Sequence, residues 1–287
     1  MNDYLIVTDS SCDLSAEMAE KLGVKVIKLE FIIDGEEAKQ NDAMDEKQFY
    51  ELLRSGKMVT TSAIAMDRFV SEVEPLLARG NDVIYLGFSS GLSSTYTAGF
   101  VGAKELAEKY PERKIYTVDT LAASMGQGLL VWYAVNMQRE GKSIEEVRDF
   151  VEENKSKLAH WFTVNDLFFL KRGGRVSAAT ALVGTMLNIK PVLHVDDEGH
   201  LVNVSKVRGR KNAVDALFDK AKETAINASE QTMFISHGDC IEDAEFLAQR
   251  LKSELGVKEV AISYVGPVIG AHSGPGTLAL FFIGTNR

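Results

Sequence analysis

The sequence predicts an α/β protein, with an N-terminal domain built on a parallel sheet and a second domain of mixed α/β character. Three observations predict it. Short apolar runs alternate with helical patterns through the first half, as in strand–helix–strand units. A hairpin pattern breaks that alternation in the second half. The length, 287 residues, is about two domains of chain at ~150 residues each.

Tyr4-Leu5-Ile6-Val7 is an apolar run stopped by the polar turn Thr8-Asp9-Ser10-Ser11. Ser15 is placed to cap a helix and Gly23 to end it. Residues 24–33 alternate as one strand, closed by the turn pair Asp34-Gly35. Helices are expected over 46–54, with Gly56 past the end, and over 68–79, where Phe69, Val73, Leu76 and Leu77 share a face. Residues 82–88 read as a buried strand, followed by the loop Ser89-Ser90-Gly91-Leu92-Ser93-Ser94-Thr95. A helix to Tyr110, a strand over 114–118 and a long apolar helix over 121–139 complete the first half.

In the second half, helices over 144–158 and 177–187 flank the loop Lys171-Arg172-Gly173-Gly174-Arg175. Residues 190–195 and 200–207 form a hairpin around Asp196-Asp197-Glu198-Gly199. An amphipathic helix then runs toward Ala225. Residues 231–236, 242–255 and 257–265 read as a further strand–helix–strand unit. A Gly-rich loop over 266–276 leads into a last strand over 277–283. The division falls near residue 160, giving domains 1–160 and 161–287. No repeat or low-complexity linker separates them, so they are expected to pack together.

Composition narrows the function. There are 32 basic and 41 acidic side chains, a formal charge of −9, which argues against non-specific nucleic-acid binding. Two cysteines, Cys12 and Cys240, cannot build a disulfide scaffold or a Cys-rich metal site. The start Met1-Asn2-Asp3-Tyr4 lacks the basic, then apolar, pattern of a signal peptide. No apolar run approaches ~20 residues. The expectation is a soluble cytoplasmic protein.

Three polar loops could carry chemistry: Thr60-Thr61-Ser62-Ala63, Ser89 to Thr95, and Gly270-Ala271-His272-Ser273-Gly274-Pro275-Gly276. In open α/β sheets ligands sit beyond the carboxyl ends of the strands. Hydroxyls and free amides clustered there can hold an anion without Lys or Arg. Each loop alone reads more readily as caps and turns.

These loops occur in order with Val7-Thr8-Asp9-Ser10-Ser11-Cys12-Asp13-Leu14 and Lys171-Arg172-Gly173-Gly174-Arg175. Together the five phrases resemble the DegV family of bacterial fatty-acid-binding proteins, whose kinase-coupled members are called FakB proteins. The likeness spans about residues 3–286. It implies a two-domain DegV-type fold with a long-chain fatty acid between the domains, its tail buried and its carboxylate among hydroxyls. It implies that Thr61, Ser62 and Ser93 contact the carboxylate, with Ser94 adjacent and His272 in the head-group network. It also implies a carrier rather than an enzyme. A separate ATP-dependent fatty acid kinase would phosphorylate the bound acid, and the acyl phosphate would feed phospholipid synthesis.

Physical chemistry agrees with that division of labour. Burying an acyl chain yields ~0.8 kcal/mol per CH₂, so roughly 14 methylenes supply ~11 kcal/mol before binding costs. The head group needs only satisfied hydrogen bonds. An Arg fork would occupy both carboxylate oxygens, whereas phosphoryl transfer needs one oxygen free. For the tail channel the sequence offers residues 178–187, Phe168, Phe169, Ile189 and residues 265–269, each individually more readable as core. Arg208, Arg210 and Lys211, with Arg172 and Arg175, stand out on an acidic chain. They could meet a kinase or, transiently, an anionic membrane, a solvated helix start being the plainer reading.

Rival readings are weaker. Gly87-Phe88-Ser89-Ser90-Gly91 fits a hydrolase elbow with Ser89 as nucleophile on an acyl ester. The loop, however, continues past Gly91 instead of entering a helix. Asp9 ends a strand as in haloacid-dehalogenase phosphatases, but Ser11 stands where a second Asp is needed. His194 and His200 flank a hairpin without a third zinc ligand at suitable spacing. No P-loop pattern occurs, so neither an ATP site nor any other cofactor is expected.

Overall fold

A computed structural model describes residues 4–165, 167–177 and 188–287. Three sheets organise the described residues. The first is wholly parallel, ordered β2 (Lys25–Ile27), β1 (Tyr4–Asp9), β6 (Asp82–Gly87), β7 (Ile115–Asp119). The second has six strands, ordered β10 (Leu201–Arg208), β9 (Ile189–Val195), β8 (Leu158–Thr163), β13 (Leu278–Ile283), β11 (Thr232–His237), β12 (Glu259–Tyr264). Among the described residues its only parallel pair is β11–β12. A small antiparallel sheet, β4 (Lys39–Gln40), β3 (Glu30–Ile33), β5 (Val59–Ser62), lies apart from both. The α/β class and the parallel-then-mixed arrangement are as the patterning predicts.

Helices cover the faces where their apolar stripes fall. α3 (Met66–Ala78) and α4 (Thr95–Lys109) pack on one face of the first sheet, where Phe69, Val73 and Leu106 meet Val7, Val83 and Tyr85. α1 (Ala16–Leu22) and α6 (Ile144–Asn154) lie by the other. Ser15 accepts from the Met18 amide, and Gly23 closes α1 at φ +74°, as the cap signals require. α8 (Arg210–Thr224) and α9 (Ile241–Leu255) cover the second sheet. α2 (Glu46–Arg54) and α10 (Pro267–Ser273) pack on the small sheet through Phe49, Tyr50 and Ala271. α7 (Phe168–Arg172) lies against α10.

α5 (Met125–Arg139) joins the halves. It is apolar nearly all round, the pattern of a helix buried on every side. Leu129, Leu130 and Val131 are fully buried in one cluster with Ile6 and Leu86 of the first sheet and Phe162 and Phe281 of the second. The lobes therefore share a core. Residue 160, where the sequence divides the domains, lies inside β8.

Several expected boundaries are corrected. Residues 24–33 form two strands in different sheets, because the Ser10 hydroxyl accepts from the Leu29 amide at 2.9 Å and turns the chain between them. Residues 59–62 are a strand, paired to β3, where a loop is expected. The helix expected over 144–158 ends at Asn154, and β8 begins at Leu158. The apolar helix begins at Met125, not 121. The Gly-rich stretch after residue 265 contains α10, whose entry suits Pro267 at the first turn. The helix expected over 177–187 falls almost wholly outside the described residues.

Candidate functional site

The three polar loops converge. Thr61 stands on β5, opposite Phe31 of β3. His272 stands in the last turn of α10, which Gly274 closes at φ +80°. Thr61 Oγ1 and His272 Nε2 are 2.8 Å apart. The third loop joins through a neighbour: Thr95 Oγ1 accepts from the Ile64 amide at 3.4 Å and lies 2.9 Å from Ser93 Oγ. Ser93 Oγ also accepts from the Thr95 amide at the start of α4. Ser62, half-buried, and Ser94, exposed, adjoin this cluster in the chain.

The cluster's electrostatics are unusual for an anion site. Burial, then the cations of Arg175 and Arg172, push the His272 pKa down to about 4. The imidazole is therefore neutral at pH 7. Gly173 lies so close that any side chain there would strike the ring at Nδ1. This is a physical reason for glycine in the loop between the two arginines.

His272 also lines a cavity whose walls come from both lobes. The cavity encloses about 620 Å³ of space not filled by atoms, its opening included. Phe88, Leu92 and Ala123 line it from the first lobe, and Phe162, Ala279 and Phe281 from the second. Of the expected channel residues, Val265 and Ile269 line it. Phe168 is 61% exposed and Phe169 packs with the small-sheet cluster. Residues 178–187 lie outside the described residues. The wall residues on β8 and β13 were not legible in advance, since an alternating strand facing a cavity reads the same as one facing a core.

Arg175 was also not foreseen as a site residue. Its side chain lines the cavity while Nε donates to the Leu92 carbonyl at 3.1 Å, and it also bonds the Gly173 carbonyl. It braces the Ser89–Thr95 loop rather than standing out as a surface charge. Arg210 is likewise engaged: Nε donates to Asp243 Oδ2 of α9 at 2.8 Å. Arg208 and Lys211 are exposed.

Ser89 has a structural task. It is fully buried, and its hydroxyl donates to the Gly199 carbonyl at 2.9 Å. α4 begins only at Thr95, so Ser89 does not sit at a strand-to-helix elbow. Asp9 is buried beneath the same loop. It accepts from the amides of Ser11 and Phe88, the hydroxyls of Ser11 and Tyr85, and the Gln127 side chain.

The model of the DegV family, a family described as uncharacterised proteins, matches residues 4–285. The chain belongs to the DegV family. A DegV domain-containing protein of Clostridium perfringens is 46% identical over 289 residues, covering 100% of this chain and 99% of that one. Among solved structures, a DegV lipid-binding protein of Thermotoga maritima is 29% identical with a TM-score of 0.87, covering 99% of each chain. A fatty-acid-binding DegV family protein of Thermus thermophilus is 30% identical with a TM-score of 0.86, covering 97% of this chain and 98% of that one. These DegV neighbours share the two-lobed arrangement along nearly its full length. Among the described residues no helix is long and apolar enough to cross a membrane.

Proposed function

We propose that this protein binds a long-chain fatty acid, with the tail in the cavity between the lobes and the carboxylate at the Thr61–Ser93–His272 cluster. The observation that carries this is a largely apolar cavity lined by the neutral His272, whose Nε2 lies 2.8 Å from Thr61 Oγ1. The solved Thermus and Thermotoga relatives, described as fatty-acid and lipid binders, support it.

The neutral imidazole can make the cluster a donor: with its proton on Nε2 it would donate to Thr61 Oγ1, leaving the Thr61 hydroxyl proton for the carboxylate. Ser93 supplies a second hydroxyl, with Ser62 and Ser94 beside it. The tail supplies most of the affinity, and the head group is held by hydroxyls without an Arg fork.

We further propose that the bound acid is presented to a separate kinase, since the chain has no P-loop. A carboxylate oxygen would attack the γ-phosphorus of ATP, forming an acyl phosphate and releasing ADP. Arg208 and Lys211 are the exposed cations that could meet such a partner or an anionic membrane. The product would suit acyl transfer into phospholipid.

Lipid extraction and mass spectrometry of freshly purified protein test the binding step. A near-stoichiometric fatty acid is expected, and its absence after expression in lipid-replete cells would sink the reading. Thr61→Ala combined with Ser93→Ala should weaken fatty-acid binding roughly a hundredfold or more, because both hydrogen bonds go to a charged group. Unchanged affinity in that double variant would contradict the head-group assignment.

A further inference from the structure

We infer that Ser273 is a further ligand-binding residue, whose hydroxyl donates to the carboxylate of the bound acid from inside the cavity. The inference rests on the fatty-acid reading above. Ser273 is 6% exposed, lines the cavity, and its Oγ has no hydrogen-bond partner among the described residues. A buried hydroxyl without a partner is uncommon in folded proteins and calls for an explanation.

The other hydroxyls around the cavity are accounted for. Thr277 Oγ1 donates to the Gly274 carbonyl at 2.8 Å. Ser236 Oγ and Ser124 Oγ are 2.8 Å apart, and Ser124 donates to buried Asp13 at 2.5 Å. Ser273 alone, among the described residues lining this space, keeps an uncommitted hydroxyl. Its place is well defined. Gly274 ends α10 with Phe169 packed so closely on its Cα that a side chain there would collide. Ser273 also follows His272 directly, so the two residues approach the same end of the cavity from one helix turn.

The chemistry of the ligand fits this donor. A carboxylate offers about four lone-pair sites. In the binding reading Thr61 and Ser93 reach it from the first lobe, and Ser273 on α10 adds a donor among the residues that line the cavity. A carboxylate oxygen taken out of water needs a donor in its place. The Ser273 hydroxyl supplies that donor, and the carboxylate supplies the partner that no protein group gives Ser273 Oγ among the described residues.

Ser273→Ala is the test, read three ways on the full-length protein. Palmitate affinity should fall roughly tenfold, the weight of one hydrogen bond to a charged group. Affinity for hexadecane, which has a tail and no acceptor, should change less than about twofold. The urea midpoint of the lipid-free variant should hold or rise, because the substitution removes a buried unpaired group. Equal losses for both ligands would overturn the inference in favour of packing. No loss for either would overturn it in favour of a bound water. Failure of the unaltered protein to bind palmitate at all would overturn the fatty-acid reading, and this inference with it.

Discussion

Ala279→Trp should abolish fatty-acid binding, with at least a hundredfold loss of affinity and no co-purifying lipid. Ala279 lies on β13, paired with Phe162 of β8 on one side and Ser236 of β11 on the other. All three line the cavity. An indole there would fill the passage between the two lobes. If only half of a long tail could still be buried, the loss at ~0.8 kcal/mol per methylene is about 5 kcal/mol, or more than a thousandfold. The added bulk enters empty space rather than a packed core, so the circular dichroism spectrum and cooperative unfolding should be retained. Ala279→Ser, which adds one atom, should bind nearly as the unaltered protein does. A tryptophan variant that still carries its lipid would show that the tail lies elsewhere.

The second large effect concerns stability. Asp9→Asn should lower the unfolding free energy by about 2–4 kcal/mol, because it turns an amide nitrogen toward buried donors that now bond a carboxylate oxygen. Burial raises the Asp9 pKa, opposed by its hydrogen bonds to Ser11, Tyr85 and Phe88. Every contact to its two oxygens comes from a donor: Ser11 on one side, Tyr85, Phe88 and Gln127 on the other. An amide nitrogen in either orientation would face donors, so the near-isosteric change should cost almost as much as Asp9→Ala. Urea denaturation measures it directly. An Asn variant within about 1 kcal/mol of the unaltered protein would mean that the volume of the side chain matters and its charge does not. The Phe88 amide precedes the Ser89–Thr95 loop, so the Asn variant should also bind fatty acid more weakly.

Much of this molecule was legible before any coordinates. The fully buried run from Val83 to Gly87 read as a strand because hydrophobic continuity over that length suits a parallel sheet covered on both faces. Ser15 and Gly23 read as caps because cap chemistry is local. The polar loops read as candidates for the same reason, since helix entries and strand ends leave backbone groups in need of partners.

What the amino-acid order determined by itself, then, was the class of fold, the alternation of its elements and the residue types available at the loops. Only the tertiary structure decided that Thr61 on β5 meets His272, 211 positions later, that Arg175 turns inward, and that Ser273 keeps an unpaired hydroxyl. It also decided that α5 is shared by two sheets and that β8 and β13 face a cavity. The reason is physical. Local signals report on backbone needs within a few residues, whereas a cavity arises from distant side chains that fail to fill a space, and no single segment carries that information.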